Sequence, residues 1–162
     1  MKKNPSLRLN EVIAGSSNKK LNRQISGLYG RGIIRKIAPR LYTPNFDDPP
    51  AEIIRRNLFE VLGLLYPGAL LSHRSAFEFA PTSAGHIFLT YTYTKKVALP
   101  GVTLRFLEGP GPVAGDRSFS GNLQVSQEAR AFLENLQRAH RPGPESKTLS
   151  LPEIEEKLDQ MI

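Results

Sequence analysis

The sequence predicts an α+β fold in two parts, on three observations. Residues 18–43 carry a helical apolar repeat that gives way to two short runs of β-formers. Residues 51–65 carry a second, strongly amphipathic repeat. From residue 69 to residue 125, short apolar runs alternate with Pro/Gly turns.

In chain order, Leu7, Leu9, Val12 and Ile13 mark residues 5–14 as a short helix that Gly15 can end. Ser16 and Ser17 are candidate N-caps for the next helix, residues 18–29. There Leu21, Ile25 and Leu28 recur at i, i+4 and i+7, the spacing of a buried stripe. Lys19, Lys20, Arg23 and Gln24 lie off that stripe, and Gly30 or Gly32 can close the helix. Residues 33–37 and 41–43 read as two β-segments joined by a tight turn at Pro39. The polar, proline-rich stretch 45–50 reads as a subdomain boundary.

Beyond it, Ile53, Ile54, Leu58, Val61, Leu62 and Leu65 predict one helix over 51–65, stopped by Pro67-Gly68. Residues 69–71 read as a buried strand, and Ser72 as the cap of a helix over 73–79. Strands follow at 87–93, 97–99, 102–107 and 123–125, with a rigid loop over 108–112. Ser126 reads as the cap of a helix to residue 139 whose apolar face is Ala129, Phe132, Leu133 and Leu136. Residues 141–146 read as a Pro/Gly linker and 151–162 as a last helix. The expected organisation is a helix-plus-wing subdomain at 1–47, a small mixed α/β subdomain at 48–140, and a linker with C-terminal helix at 141–162.

Composition narrows the function classes. The 162 residues include no Cys, which excludes disulfides, thiolate nucleophiles and thiolate metal sites. The N-terminus lacks the apolar core of a signal peptide, and the longest apolar stretch, 58–71, is interrupted by Glu60 and Pro67-Gly68. A soluble, cytoplasmic protein with no membrane partner is expected. The overall charge of +7 is unevenly placed. Residues 1–43 hold ten basic side chains against one acid, Glu11, whereas the rest of the chain holds twelve basic and fourteen acidic ones. A local basic block within a foldable segment points to a polyanion. The alternatives are a basic tail and a merely solvated basic face.

The residues at 18–43 match what a winged helix needs. A recognition helix docks by an apolar face and offers long donors on the other, while its β-wing reaches the flanking backbone. The expected duplex-DNA-binding residues are therefore Lys19, Lys20, Arg23, Gln24, Arg31, Arg35, Lys36 and Arg40. The Gly109–Gly111 segment lacks the Lys-Ser/Thr of a phosphate loop and contains two prolines. His73, His86 and His140 have no partners at zinc-ligand spacing. Ser72-His73 reads as structural, because no acid is placed in sequence to orient the histidine. No enzymatic activity, cofactor or metal is expected.

The run Lys20-Leu21 … Gly32-Ile33-Ile34-Arg35-Lys36-Ile37-Ala38-Pro39-Arg40-Leu41-Tyr42-Thr43 resembles the winged-helix segment of AbiEi-type antitoxins. Leu71-Ser72-His73-Arg74-Ser75-Ala76 resembles the "i-S-H-x-S-A-l" helix start that follows it in that family. Arg55-Arg56-Asn57, Tyr66-Pro67-Gly68-Ala69, Leu99-Pro100-Gly101-Val102, Glu108-Gly109-Pro110-Gly111-Pro112 and Arg130-Ala131-Phe132-Leu133-Glu134-Asn135 are similar to the region preceding the catalytic domain in some bacterial Fic proteins. The resemblance implies an autoregulatory DNA-binding module whose partner is a cognate toxin or a Fic domain. The Fic motif "H-P-F-x-x-G-N-G-R" is absent, so that activity is not implied. The family's wing glycine, in "r-G-l-Y", is replaced by Pro39-Arg40, which leaves the turn type open. A second reading is a protein-interaction or inhibitory module that does not meet DNA.

Overall fold

The computed structural model of the chain describes residues 9–119, 122–138 and 143–162. It is mixed α+β, with six helices and two sheets among the described residues. The N-terminal unit is a strand β1 (Ile13–Ala14), a helix α1 (Lys19–Gly30) and a hairpin of β2 (Arg35–Ala38) and β3 (Leu41–Thr43). Its three strands pair antiparallel in the order β1-β3-β2. One helix stands between β1 and β2, where a helix-turn-helix takes two.

Residues 9–14 are therefore not helical, contrary to the sequence reading, and residues 5–8 lie outside the described residues. The edge of β3 offers Ile13 and Ala14 a ladder opposite Tyr42 and Leu41. A ten-residue helix is marginal by itself in water, so the pairing wins and buries Val12. Helix α1 begins where expected, but its cap is Asn18 rather than Ser16 or Ser17. Asn18 Oδ1 accepts from the N–H groups of Lys20 and Leu21 at 2.9 and 3.3 Å, and Ser16 Oγ accepts from Asn18 N–H. Gly32, at φ 70°, ends the helix and lets Ile33 N–H reach Leu28 O at 3.0 Å.

The predicted helix over 51–65 is two helices, α2 (Pro50–Arg56) and α3 (Leu58–Leu65). The break falls at Asn57, at φ −113° and ψ 21°, whose Nδ2 donates to Ile53 O at 2.8 Å and to Glu11 Oε2 at 2.7 Å. A six-stranded sheet follows, in the order β6-β7-β5-β4-β9-β8. Its strands are β4 (Leu70–Leu71), β5 (His86–Tyr91), β6 (Lys95–Leu99), β7 (Val102–Glu108), β8 (Arg117–Ser118) and β9 (Gln124–Val125). Pairs β5/β7 and β4/β9 are parallel, and the other neighbours antiparallel. The run of apolar residues in β5 is buried from Ile87 to Leu89, as a central strand covered on both faces must be.

Neither Ser72 nor Ser126 caps a helix. Helix α4 (Ser75–Glu78) starts three residues after Ser72, and helix α5 (Glu128–Asn135) follows Gln127. Both serines are fully buried hydrogen-bonding groups instead. Helix α5 also turns an unexpected face inward: Ala131, Glu134 and Asn135 are buried, while Leu133 and Leu136 are 69% and 61% exposed. The reason is Glu134, whose carboxylate accepts from Ser126 Oγ, Arg130 Nε and the His73 N–H. Four charge-assisted bonds outweigh two leucines for the inward position.

The expected linker at 141–146 is, over its described part, docked. Thr82 Oγ1 donates to Pro144 O at 2.6 Å, Arg74 Nη1 donates to Gly143 O at 3.1 Å, and Ser146, Thr148 and Leu149 are buried. The last helix, α6 (Leu151–Asp159), opens with a capping box in which Ser150 and Glu153 bond reciprocally.

A single buried apolar cluster runs from Val12, Ile37, Ala38 and Leu41 through Ile53, Ile54 and Leu58 to Leu89, Leu104 and Phe106. It passes without a break across residues 45–50. A polar clasp crosses the same seam. Glu11 accepts from Arg56 Nε and Nη2, from Asn57 Nδ2 and from Asn45 Nδ2, and Arg56 Nη2 also meets Asp48 Oδ2 at 2.6 Å. Hydrogen bonds from Arg56, then Asn57, hold the Glu11 carboxyl at about 2. Because that value lies below the one the unfolded chain would show, Glu11 stabilises the fold above its ordinary pKa of 4.5, and the contribution disappears as pH falls towards 2. Chemical denaturation at pH 6 and pH 3 should show Glu11→Gln less stable than the parent at pH 6 and the gap narrowing at pH 3. A constant gap would mean that the clasp carries no charge-dependent stability.

Candidate nucleic-acid interface

The expected site residues divide by element. Lys19, Lys20, Arg23 and Gln24 are exposed on α1, and Arg31 is exposed just past its end. Their helical spacing puts them on the side away from Ile25, the one residue of α1 that is buried. The predicted stripe is only partly inward: Leu28 is half-buried and Leu21 is 40% exposed. The helix thus rests on Ile25, supported by Tyr29, whose ring meets that of Tyr42 edge-on at 5.8 Å.

Lys36 and Arg40 are exposed on the hairpin. They face α1 across a polar groove of about 350 Å³, whose other walls are Gly15, Ser16, Asn22, Ser26 and Tyr42. Asn22 fixes the near wall: its Oδ1 accepts from Ser16 N–H at 2.9 Å and its Nδ2 donates to Ser16 O. Sequence reasoning missed Asn22 and Ser26, which fall between the apolar stripe and the basic face and carry no charge to mark them. From α1 this groove takes Asn22, Ile25 and Ser26, whereas Lys20, Arg23, Gln24 and Arg31 line a groove on the other side of the helix.

Arg35 does not join them. It is half-buried, its Nε donates to Asn45 O at 2.7 Å, and Nη2 donates to Asp48 O. Its guanidinium also lies over the Phe46 ring, 5.9 Å from the centroid. It ties β2 to the 45–48 loop, since neighbours on a strand point to opposite faces and Lys36 takes the outer one. No carboxylate of a described residue forms an ion pair with Lys19, Lys20, Arg23, Arg31, Lys36 or Arg40. The one acid of the basic block, Glu11, is held by Arg56 on α2 instead.

The hairpin turn carries local strain. Ala38 and Leu41 pair across Pro39 and Arg40, and Arg40 sits at φ 62°. Proline followed by a left-handed residue is the signature of a type II turn, whose second central position favours glycine. An L-residue there costs about 1–2 kcal/mol, and such strain persists where the side chain has a use. The arginine Nη2 lies 3.4 Å from Gly15 O, across the mouth of the polar groove.

Ser72 and His73 form the only sequence feature that invites a catalytic comparison. Ser72 Oγ and His73 Nδ1 are 2.9 Å apart, and Thr90 Oγ1 donates to Ser72 Oγ at 2.9 Å. An acid is present after all, but Glu134 accepts from the His73 backbone N–H, while the ring Nε2 lies 3.3 Å from Gln137 Oε1. Burial holds the imidazole below its ordinary value, against the pull of Glu134. Ser72 is wholly enclosed, so no substrate reaches it. The group locks β4, β5 and α5 together. Among the described residues, no group of three or more His, Asp or Glu side chains is placed to hold a metal ion.

Compared with protein-family models, with characterised proteins and with solved structures, the chain matches none. Its own geometry therefore carries the functional reading.

Arg40→Gly tests whether the strained turn serves the basic surface. Relief of strain, less the entropy glycine adds to the unfolded chain, should leave stability unchanged or raised by up to about 1 kcal/mol. Affinity for a DNA duplex should fall in the same protein. Thermal melts and binding titrations check both, and a loss of stability would show that Arg40 is held for structural reasons.

Proposed function

We propose that this chain binds duplex DNA through the face made by α1 and the β2–β3 hairpin, in the manner of a winged helix, and acts as an autoregulatory transcriptional module in the cytoplasm. The observation that carries the reading is the concentration of cations there without counter-charges. Lys19, Lys20, Arg23, Arg31, Lys36 and Arg40 are all exposed, and the one acid of residues 1–43, Glu11, is paired with Arg56. The strand order β1-β3-β2 agrees with a winged hairpin, and the single helix between β1 and β2 departs from the two-helix form. α1 supplies the long donors for base edges, with Arg23 and Gln24 at its exposed centre, and Lys36 and Arg40 meet flanking phosphates. The resemblance to AbiEi-type antitoxins and to Fic-linked regions supports the same reading and adds a toxin or Fic domain as partner. No helix of the described residues is long and apolar enough to cross a membrane.

A second reading, a protein-interaction module, is favoured by one observation: an apolar groove on the other side of α1, lined by Leu21, Leu28 and Leu64. The two readings separate on salt. Six phosphate contacts would give log–log salt slopes approaching about 5 in magnitude. Fluorescence anisotropy with a random duplex should show steeply salt-dependent binding that Lys20→Ala, Arg23→Ala and Lys36→Ala together abolish, with the melting temperature nearly unchanged. Absence of binding at about 50 mM salt, where backbone contacts are strong, would reject DNA as the partner.

A further inference from the structure

The apolar groove beside α1 measures about 810 Å³, and Ile13, Leu21, Leu28 and Leu64 form its walls. Leu21 and Leu64 are 40% and 41% exposed, so the groove is an open apolar surface and not a filled core. Its rim is basic: Lys20, Arg23 and Arg31 stand along it, against one acid, Glu60. An occupant that fits must be apolar along one line and acidic beside it.

The chain carries such a surface at its other end. On α6, Ile154 packs inward, while Leu151 and Leu158 remain exposed on the same helical stripe, as does Met161 beyond it. Glu155, Glu156 and Asp159 are exposed on the adjoining face. Glu153 is engaged by Ser150, and Lys157 is half-buried. Three exposed acids thus flank exposed leucines, which complements three exposed cations flanking an apolar groove. No α6 residue lines the groove within one chain, where α6 is anchored through Ile154 and the docked segment before it.

We propose that α6 of a second copy of this chain seats in the α1 groove, and that this self-association competes with DNA. The competition rests on the DNA reading above, because Lys20, Arg23 and Arg31 belong to both surfaces. Leucine burial supplies the affinity, while the exposed charges steer encounter and fix direction. Reciprocal seating closes a dimer, and non-reciprocal seating gives an open series.

Sedimentation velocity of the full chain without DNA tests the contact alone, so the result does not depend on whether DNA binds. The average mass should rise with protein concentration and fall with added salt. Leu158→Glu on α6 and Leu64→Glu on the groove wall each replace an exposed leucine, and each should weaken association about tenfold or more. An equimolar mixture of the two variants should regain association, because one intact groove meets one intact helix. Where DNA binds, Leu158→Glu should bind it more tightly than the parent at high protein concentration and equally at low. A chain that stays monomeric at all concentrations, association insensitive to both substitutions, or a mixture that fails to recover would each overturn the proposal. The first of these would leave the groove to a different protein.

Discussion

The Glu11 carboxylate organises much of this molecule. It is the single acid among the first 43 residues, and it accepts from Arg56, Asn57 and Asn45. Through these bonds it ties the approach to β1 onto α2. Asn57, one of its donors, sits where the apolar repeat over 51–65 breaks into α2 and α3. The same contacts pair the only acid of residues 1–43 with a cation outside the basic face. A structural clasp and an electrostatic consequence thus come from one side chain. Arg35 acts similarly from the other strand, holding the 45–48 loop with hydrogen bonds that leave Lys36 and Arg40 as the cations of the hairpin.

A second buried polar group organises the six-stranded sheet. Glu134 draws Ser126, Arg130 and the backbone of His73 together, and Arg130 continues to Asp116 at 2.7 Å. No side-chain polar atom among the described buried residues lacks a partner, which is the condition for such a network to favour the fold. Its cost is visible outside: with Glu134 inward, Leu133 and Leu136 face solvent.

The parts of the fold legible in the sequence were those set by local chemistry. The α+β class, α1, the Pro39 turn and the positions of β2 to β7 and β9 follow from apolar spacing, glycine and proline. What escaped depends on partners distant in sequence. Leu9, Val12 and Ile13 have helical spacing, yet β3 recruits Ile13 into a strand. Ser72 and Ser126 have the look of caps, yet both are enclosed by partners distant in sequence, Ser72 by Thr90 and Ser126 by Leu71. The 141–146 stretch has linker composition, yet Thr82 and Arg74 hold its described part. In the candidate site, charge alone located the exposed cations but could not reveal that Arg35 has carbonyl partners 10 and 13 residues on. Nor does any local signal foretell that Leu21 stays 40% exposed beside an open groove.

These features join in one account: a basic helix and hairpin, held by a clasp that removes their acid, present cations to the phosphates of a duplex. Chemical-shift mapping tests this placement directly. In a titration of isotope-labelled protein with a short duplex, the amide signals of 15–31 and 35–42 should move together, with those of β6 and β7 unchanged. Shifts centred on β6 or β7, or none at low salt, would contradict it.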